Sequence, residues 1–345
     1  MKTSDFDYQL PGDLIAQTPQ EPRDKSRLMV VDRSNESIDH GRFHDIGNLL
    51  KHGDLLVLNE SRVIPARLKG QRASGGSAEV FLLRRLELGL WEALVRPSKR
   101  LRAGEKIQLV SKKNEDVLPV FIEVLEEDKP DVRKIAFADE GLLEMLGETP
   151  LPPYIHGYTG DPERYQTVYS RVKGSVAAPT AGLHFTPALL NRIRETGVEI
   201  VQVTLHVGLD SFRPVREEDP RQHTIHQEYG ELAPEAAAAI KRAKSSGKRV
   251  VCVGTTTVRL LEQAALAGTP EEPAEPFSGW VDLFILPGHQ FRIADAMITN
   301  FHLPRSTLLM LVSAFAGKEL IERAYREAIS LRYRFYSFGD AMLIL

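Results

Sequence analysis

A single cysteine, no long apolar run and no overall excess of basic charge mark this 345-residue sequence. Cys252, the only cysteine, excludes a disulfide framework and any zinc site built on several thiolates. Its place inside RVVCVG reads as a small buried hydrophobe. No segment approaches the ~18 uncharged apolar residues of a membrane-crossing helix, and MKTSDFDYQLPG lacks the apolar core of a signal peptide. Membrane insertion and secretion are therefore not expected, and a cytoplasmic location is. No period of about twenty to fifty residues recurs, and the longest biased tract is PEEPAEP, read as an exposed loop. Heptads are also lacking, so nothing calls for more than a monomer.

The net charge of −3 does not advertise nucleic-acid binding, but its distribution does more. Between Ser61 and Lys113 thirteen Lys and Arg stand against four Glu, a balance of +9, enough for a phosphate-facing surface. From Asn114 to Pro150 eleven acidic residues face three basic ones. If both segments fold together, charge must segregate by face. Apolar residues at 42% and charged residues at 26% are ordinary globular usage, so the chain buries a proper core.

From Leu55 to about Phe137 the chain runs in short strand-like pieces such as DLLVLN, AEVFLLRRL, LWEALVRP and KIQLV, with no long helical stretch between them. After Pro150 helices alternate with strands. PALLNRIRETG precedes VEIVQVTLHVG and PEAAAAIKRAKSSG precedes KRVVCVG, each helix opening on Pro and closing on Gly. WVDLFILPG reads as another strand, and the C-terminus as one or two helices leading into DAMLIL. The expectation is an α/β fold: a larger α/β domain, barrel-like or open-sheet, of residues 1–60 plus 151–345, with a small all-β barrel, residues 61–150, inserted in it.

The turn after KRVVCVG holds Gly254, Thr255 and Thr256 at a helix start, where backbone N–H groups suit an anion; Arg259 lies one turn on. GSVAAPTAGLHFTPALL brings small residues up to His184 and Phe185, allowing close approach of a ligand and a stacking face. His206 in LHVG ends a strand, and His223, His226 and Glu228 follow in HTIHQEYG. The H-x-x-H-x-E spacing invites a metal reading, but its third ligand is undefined and no metal is expected. MITNFHLPRSTLL places Asn300, Phe301 and His302 in a loop before a helix begun by Ser306 or Thr307, and RYRFYSFGDAMLIL puts Arg334, Tyr336 and Asp340 ahead of the last strand.

Together these blocks form a signature. DFDYQLPGDLIAQTP with RDKSRLMV, LNESRVIPARL, GSVAAPTAGLHFT, LHVGLDSFRPV, VGTTTVRLLE, ITNFHLPRSTLLMLVSAFAG and YRFYSFGDAMLI run in order from end to end. The chain thereby resembles the S-adenosylmethionine:tRNA ribosyltransferase-isomerase family of queuosine synthesis. It departs from the family's pattern at Ile225, where Met is expected, and at Leu209 and Asp210, where small or polar residues are expected; none of these changes removes an acid, base or ligand group.

The resemblance implies that S-adenosyl-L-methionine is consumed as a ribosyl donor, which accounts for the absence of a Gly-rich dinucleotide fingerprint. The acceptor implied is 7-aminomethyl-7-deazaguanine (preQ1) at the wobble position of the tRNAs for Asp, Asn, His and Tyr. The product is epoxyqueuosine-tRNA, with adenine and methionine released. The sulfonium acidifies the neighbouring C5′ protons, so one base and one acid are needed. His184, His206, His223 and His226 form the candidate pool, with Asp340 in reserve. Thr180, Gly182, Phe185, Gly254, Thr255, Thr256, Arg259, Asn300, Phe301, His302, Ser306 and Thr307 are the candidate substrate contacts. Within that set Thr255, Thr256 and Arg259 are assigned to the methionine carboxylate, and Phe185 or Phe301 to the sulfonium or adenine. Arg23, Arg27, Arg62 and Arg67 are the candidate tRNA contacts. A non-catalytic RNA-binding protein is the alternative, and an S-adenosylmethionine-cleaving enzyme that needs no tRNA is a further one.

Overall fold

The fold is that of a computed structural model describing residues 1–111, 116–129, 131–208, 214–269 and 274–345, with residues 127–129 described by backbone alone. Leu209 and Asp210, Lys112 and Lys113 of the basic stretch, and part of the PEEPAEP tract lie outside the described residues. The chain divides into two compact units. One comprises Met1–Ser61, Pro152–Val172 and Ala178–Leu345, the other Arg62–Leu151 and Lys173–Ala177.

The first unit is built on an open nine-stranded sheet. At its centre Glu199–Leu205, Leu55–Asn59, Val250–Val253 and Ala296–Asn300 lie side by side and parallel. Ala341–Ile344 is antiparallel to Ala296–Asn300 and parallel to Arg27–Asp32, which pairs with the edge strand Ser37–Arg42. The central strands are continuous apolar runs because both faces are covered. Met29, Val57, Cys252 and Met297 point into one core with the helices Pro234–Ser245, Thr255–Ala264, Thr307–Ala316 and Lys318–Ser330. The alternate residues Leu28, Leu56, Val253 and Ile298 point into a second core with Phe43, Ile46, Phe185 and the helix Pro187–Glu195.

Local signals set the helix limits. Pro187 and Pro234 occupy first-turn positions that need no N–H, and Gly197 and Gly247 take positive φ of 82° and 65° just past the ends. Gly317, at φ 88°, splits the C-terminal helical stretch in two. WVDLFILPG departs from expectation: the strand is Phe277–Val281, antiparallel at the sheet edge. It stops because the amides of Asp282 and Leu283 donate to Gln263 Oε1, at 3.2 and 2.9 Å, instead of to a neighbouring strand.

The second unit holds a closed six-stranded antiparallel barrel. Arg67–Arg72, Ser77–Glu87, Leu90–Arg96, Val132–Ala136, Val117–Lys129 and Lys106–Val110 pair in that order, and the last returns to the first. Its opposite charges do not segregate by face as the sequence suggested. Arg84–Glu92 and Lys134–Glu126 pair across strands instead, each at 2.7 Å, because antiparallel neighbours bring side chains within reach, and Arg85 pairs at 2.9 Å with Glu140 in the 3₁₀ turn Glu140–Leu142. Arg96, Lys99, Arg100 and Arg102 remain as an exposed basic run.

Candidate active site

Three of the parallel strands deliver the motifs to one end of the sheet, the carboxyl end, where open α/β sheets bind ligands. Val250–Val253 runs into Gly254, whose φ of 93° and ψ of 149° is open to glycine and lets the chain turn at once into the helix Thr255–Ala264. Ala296–Asn300 ends on Asn300, and beyond Leu205 the chain reaches Val207. These segments, with the short 3₁₀ run Thr180–His184, enclose a cavity of about 50 Å³. Thr180, Gly254, Thr255, Thr256, Asn300, Phe301 and His302 line it, along with Tyr154, Val207, Tyr336 and Ser337. Five of the seven ordered sequence blocks therefore contribute to one cavity.

The candidate acids and bases sit elsewhere. His184 is buried behind Asn300, with Nδ1 2.8 Å from Ser26 Oγ and Nε2 3.2 Å from Asn300 Nδ2. Burial, helped by the charges of Arg164, Arg23 and Arg334, pulls it down to about 3. His206 stacks on Tyr229 at 6.5 Å and is pulled down to about 4 by burial, its Nδ1 without a hydrogen-bond partner. His223 pairs with Glu217 at 2.9 Å, and His226 is exposed. Asp340 accepts the amides of Arg27 and Arg334, both at 2.8 Å, and so ties two chain segments together. Among the residues lining the cavity the imidazole is that of His302, assigned from sequence to binding. Its Nε2 lies 2.7 Å from Thr299 Oγ1, and burial pulls it down to about 3.

Several expected contacts are occupied by the fold. Arg259 is buried against Glu228 at 2.7 Å and lies outside the cavity lining. Phe185 is fully buried edge-on to Phe43, 4.9 Å between centroids. Gly182 is packed so closely that a Cβ there would stand 2.0 Å from Tyr169 Oη. Ser306 caps the helix Thr307–Ala316 by accepting the Leu309 amide, and neither Ser306 nor Thr307 reaches the cavity. Arg23 donates to the carbonyls of Gln166, Leu183 and Glu163, and Arg27 to that of Leu331 while covering the Tyr333 ring at 3.6 Å. In the second unit, Arg62 and Arg67 are half-buried, and Arg67 lies 5.7 Å over the Phe81 ring. His223 and His226 join no group of three His, Cys, Asp or Glu side chains suited to a metal among the described residues.

The family model described as queuosine biosynthesis protein matches residues 3–344. The chain belongs to that family. It is 56% identical over 347 residues to the S-adenosylmethionine:tRNA ribosyltransferase-isomerase of Dehalococcoides mccartyi (strain CBDB1), covering 100% of both chains. It is 50% identical over 345 residues to the protein of the same name from Thermotoga petrophila, again covering 100% of each. The crystal structure of S-adenosylmethionine tRNA ribosyltransferase from Thermotoga maritima superimposes with a TM-score of 0.57 at 41% identity, over 99% of this chain and 100% of that one.

The cavity also contains Tyr154 and Ser337, which the sequence did not single out, beside Tyr336, which it placed ahead of the last strand. Tyr154 and Tyr336 pack on each other at its wall, 4.7 Å between ring centroids, and Tyr154 Oη lies 2.7 Å from Ser337 Oγ. Asn59, at the end of a central strand, bonds both the N–H and the C=O of Leu205 and reaches Thr256 Oγ1 at 3.5 Å, bracing the cavity from behind. Tyr336 adopts φ 68°, uncommon for a residue with a side chain and a usable signal of function once backbone angles are known. Tyr154 sits in LPPYIHGYTG, which carries no pattern that would point to it.

Proposed function

We propose that this chain transfers and isomerises the ribosyl group of S-adenosyl-L-methionine onto 7-aminomethyl-7-deazaguanine at the wobble position of tRNA, giving epoxyqueuosine-tRNA, adenine and methionine. The observation that carries the reading is the full-length identity to ribosyltransferase-isomerases, and the convergence of five signature blocks on one cavity supports it. The methionine carboxylate rests on Thr255, Thr256 and the first-turn amides of their helix; Arg259, neutralised by Glu228, is not needed there. His302 and Phe301 wall the space beside the sulfonium.

The acceptors are the tRNAs for Asp, Asn, His and Tyr, and the protein works as a cytoplasmic monomer without a metal. A wobble base in a loop is splayed into a pocket at lower cost than a base in a duplex. Arg62 and the exposed run Arg96 to Arg102 contact phosphates. No helix among the described residues is long and apolar enough to cross a membrane.

The test is incubation with S-adenosylmethionine labelled in the ribose carbons and tRNA bearing the modified base, followed by nucleoside mass spectrometry. Label in the tRNA nucleoside with tRNA-dependent adenine release supports the proposal. Adenine release without labelled RNA points to an S-adenosylmethionine-cleaving enzyme, and tRNA binding without turnover to an RNA-binding protein.

A further inference from the structure

Four buried or half-buried groups form a line of hydrogen bonds ending in the cavity. Ser26 Oγ meets His184 Nδ1 at 2.8 Å, His184 Nε2 meets Asn300 Nδ2 at 3.2 Å, and Asn300 Oδ1 meets Thr180 Oγ1 at 2.9 Å. Hydroxyl, imidazole and amide can each be turned either way, so the line by itself has no direction. Two main-chain carbonyls give it one. Those of Tyr336 and Asp340 lie 3.3 and 3.5 Å from the same amide nitrogen of Asn300, and a carbonyl only accepts.

The amide NH₂ of Asn300 is thereby fixed toward His184 and the two carbonyls, one proton going to Nε2 and the other shared by the oxygens. Nε2 must then be the unprotonated nitrogen, and Nδ1 carries the proton that Ser26 accepts. At the other end Asn300 Oδ1 accepts the Thr180 hydroxyl proton. With that proton committed, Thr180 Oγ1 faces the cavity as an acceptor only.

We infer that His184 is a positioning residue that acts through Asn300 to hold Thr180 as a hydrogen-bond acceptor, and that Thr180 receives an N–H donor of the substrate. Resting on the function proposed above, this assigns the α-ammonium of the methionine moiety to Thr180, beside the helix start given to its carboxylate. The line takes His184 out of the proton-transfer pool: its lone pair is used by Asn300, and its proton points away from the cavity into Ser26. The charged groups acting on it, Arg164, Arg23 and Arg334, are all cationic and oppose a second proton.

Equilibrium binding of S-adenosylmethionine to the full-length protein, paired with the pH profile of ribosyl transfer, tests the assignment. Thr180→Val should weaken binding roughly tenfold, the size of one hydrogen bond, and Thr180→Ser should recover most of it. His184→Ala should weaken binding to a similar degree, and adding it to Thr180→Val should cost little more, because both break one line. His184→Gln, whose side-chain carbonyl still accepts from Asn300, should recover affinity relative to His184→Ala, with both limbs of the pH profile where the wild type has them. Should His184→Ala not fold, the Thr180 pair decides. Wild-type affinity in Thr180→Val, or a displaced pH limb with about a thousandfold loss of turnover in His184→Gln, overturns the inference. Wild-type binding of S-adenosylmethionine without ribosyl transfer to tRNA would end the proposed function alone, leaving the binding comparison to judge the hydrogen-bond line.

Discussion

Arg259 and Glu228 form an ion pair at 2.7 Å in which both side chains are 5% exposed. Glu228 also accepts the Gly208 amide at 2.8 Å, and Arg259 donates to the carbonyls of Val281 and Leu283 at 3.5 and 3.3 Å. Removing one partner strands the other in a poor dielectric. Arg259→Ala should therefore cost about 3–5 kcal/mol of stability, read as a lower midpoint in denaturant unfolding. A variant that unfolds at the wild-type midpoint yet binds S-adenosylmethionine poorly would return Arg259 to the ligand.

Three histidines make stability depend on acid. His184 and His302 are pulled down to about 3 and His206 to about 4, whereas each titrates near 6.5 in the unfolded chain. The unfolded state binds more protons between those values, so this contribution is whole above pH ~6.5 and is lost as pH falls toward ~3–4. Unfolding midpoints measured from pH 7 to 4 should drop steadily, and His184→Gln should flatten the slope. A pH-independent midpoint over that range would contradict burial of the neutral imidazoles.

Tyr154 and Tyr336 stand 4.7 Å apart at the cavity, their planes at 55°. Tyr154→Phe removes the bond to Ser337, a change on the order of 1 kcal/mol. Tyr336→Ala removes a wall of the cavity and should lower kcat/KM more than tenfold; it also empties a buried core position and keeps the Cβ at φ 68°, so the unfolding midpoint should fall as well. Equal kcat/KM for Tyr336→Ala and the wild type would place the ligand elsewhere.

The arginines divide by what holds them. Arg23 spends its donors on three carbonyls, so Arg23→Ala should lower the unfolding temperature. Arg62→Ala should weaken tRNA binding and reduce the log–log salt slope by about one phosphate contact, ~0.9. Titrations of tRNA at several salt concentrations separate the two effects, and an unchanged slope in Arg62→Ala removes it from the interface.

Much of the fold could be read from local chemistry. Proline at helix starts, glycine just past helix ends and apolar runs in central strands all act within a few residues, and Pro187, Gly197, Pro234 and Gly247 sit where such rules place them. The cavity was legible where a motif is itself a strand end, as at Gly254, Thr255 and Asn300. It was not legible at Tyr154 and Ser337, which are 183 residues apart and meet only through tertiary packing. The place of the histidines relative to the cavity was not legible for a related reason. An imidazole beside small residues looks the same in sequence whether it opens onto a ligand or, like His184, lies behind the residue that does.

The closing pair of the barrel, Arg67–Arg72 with Lys106–Val110, has a consequence for life in a crowded cell. A barrel closed on itself offers no unpaired ladder to another chain, so the inserted unit cannot seed edge-to-edge aggregation through these strands. The nine-stranded sheet, by contrast, has two rims. One of them, Ser37–Arg42, presents Asp39 and Arg42 to solvent, and their charge discourages a neighbouring molecule from adding its own strand there.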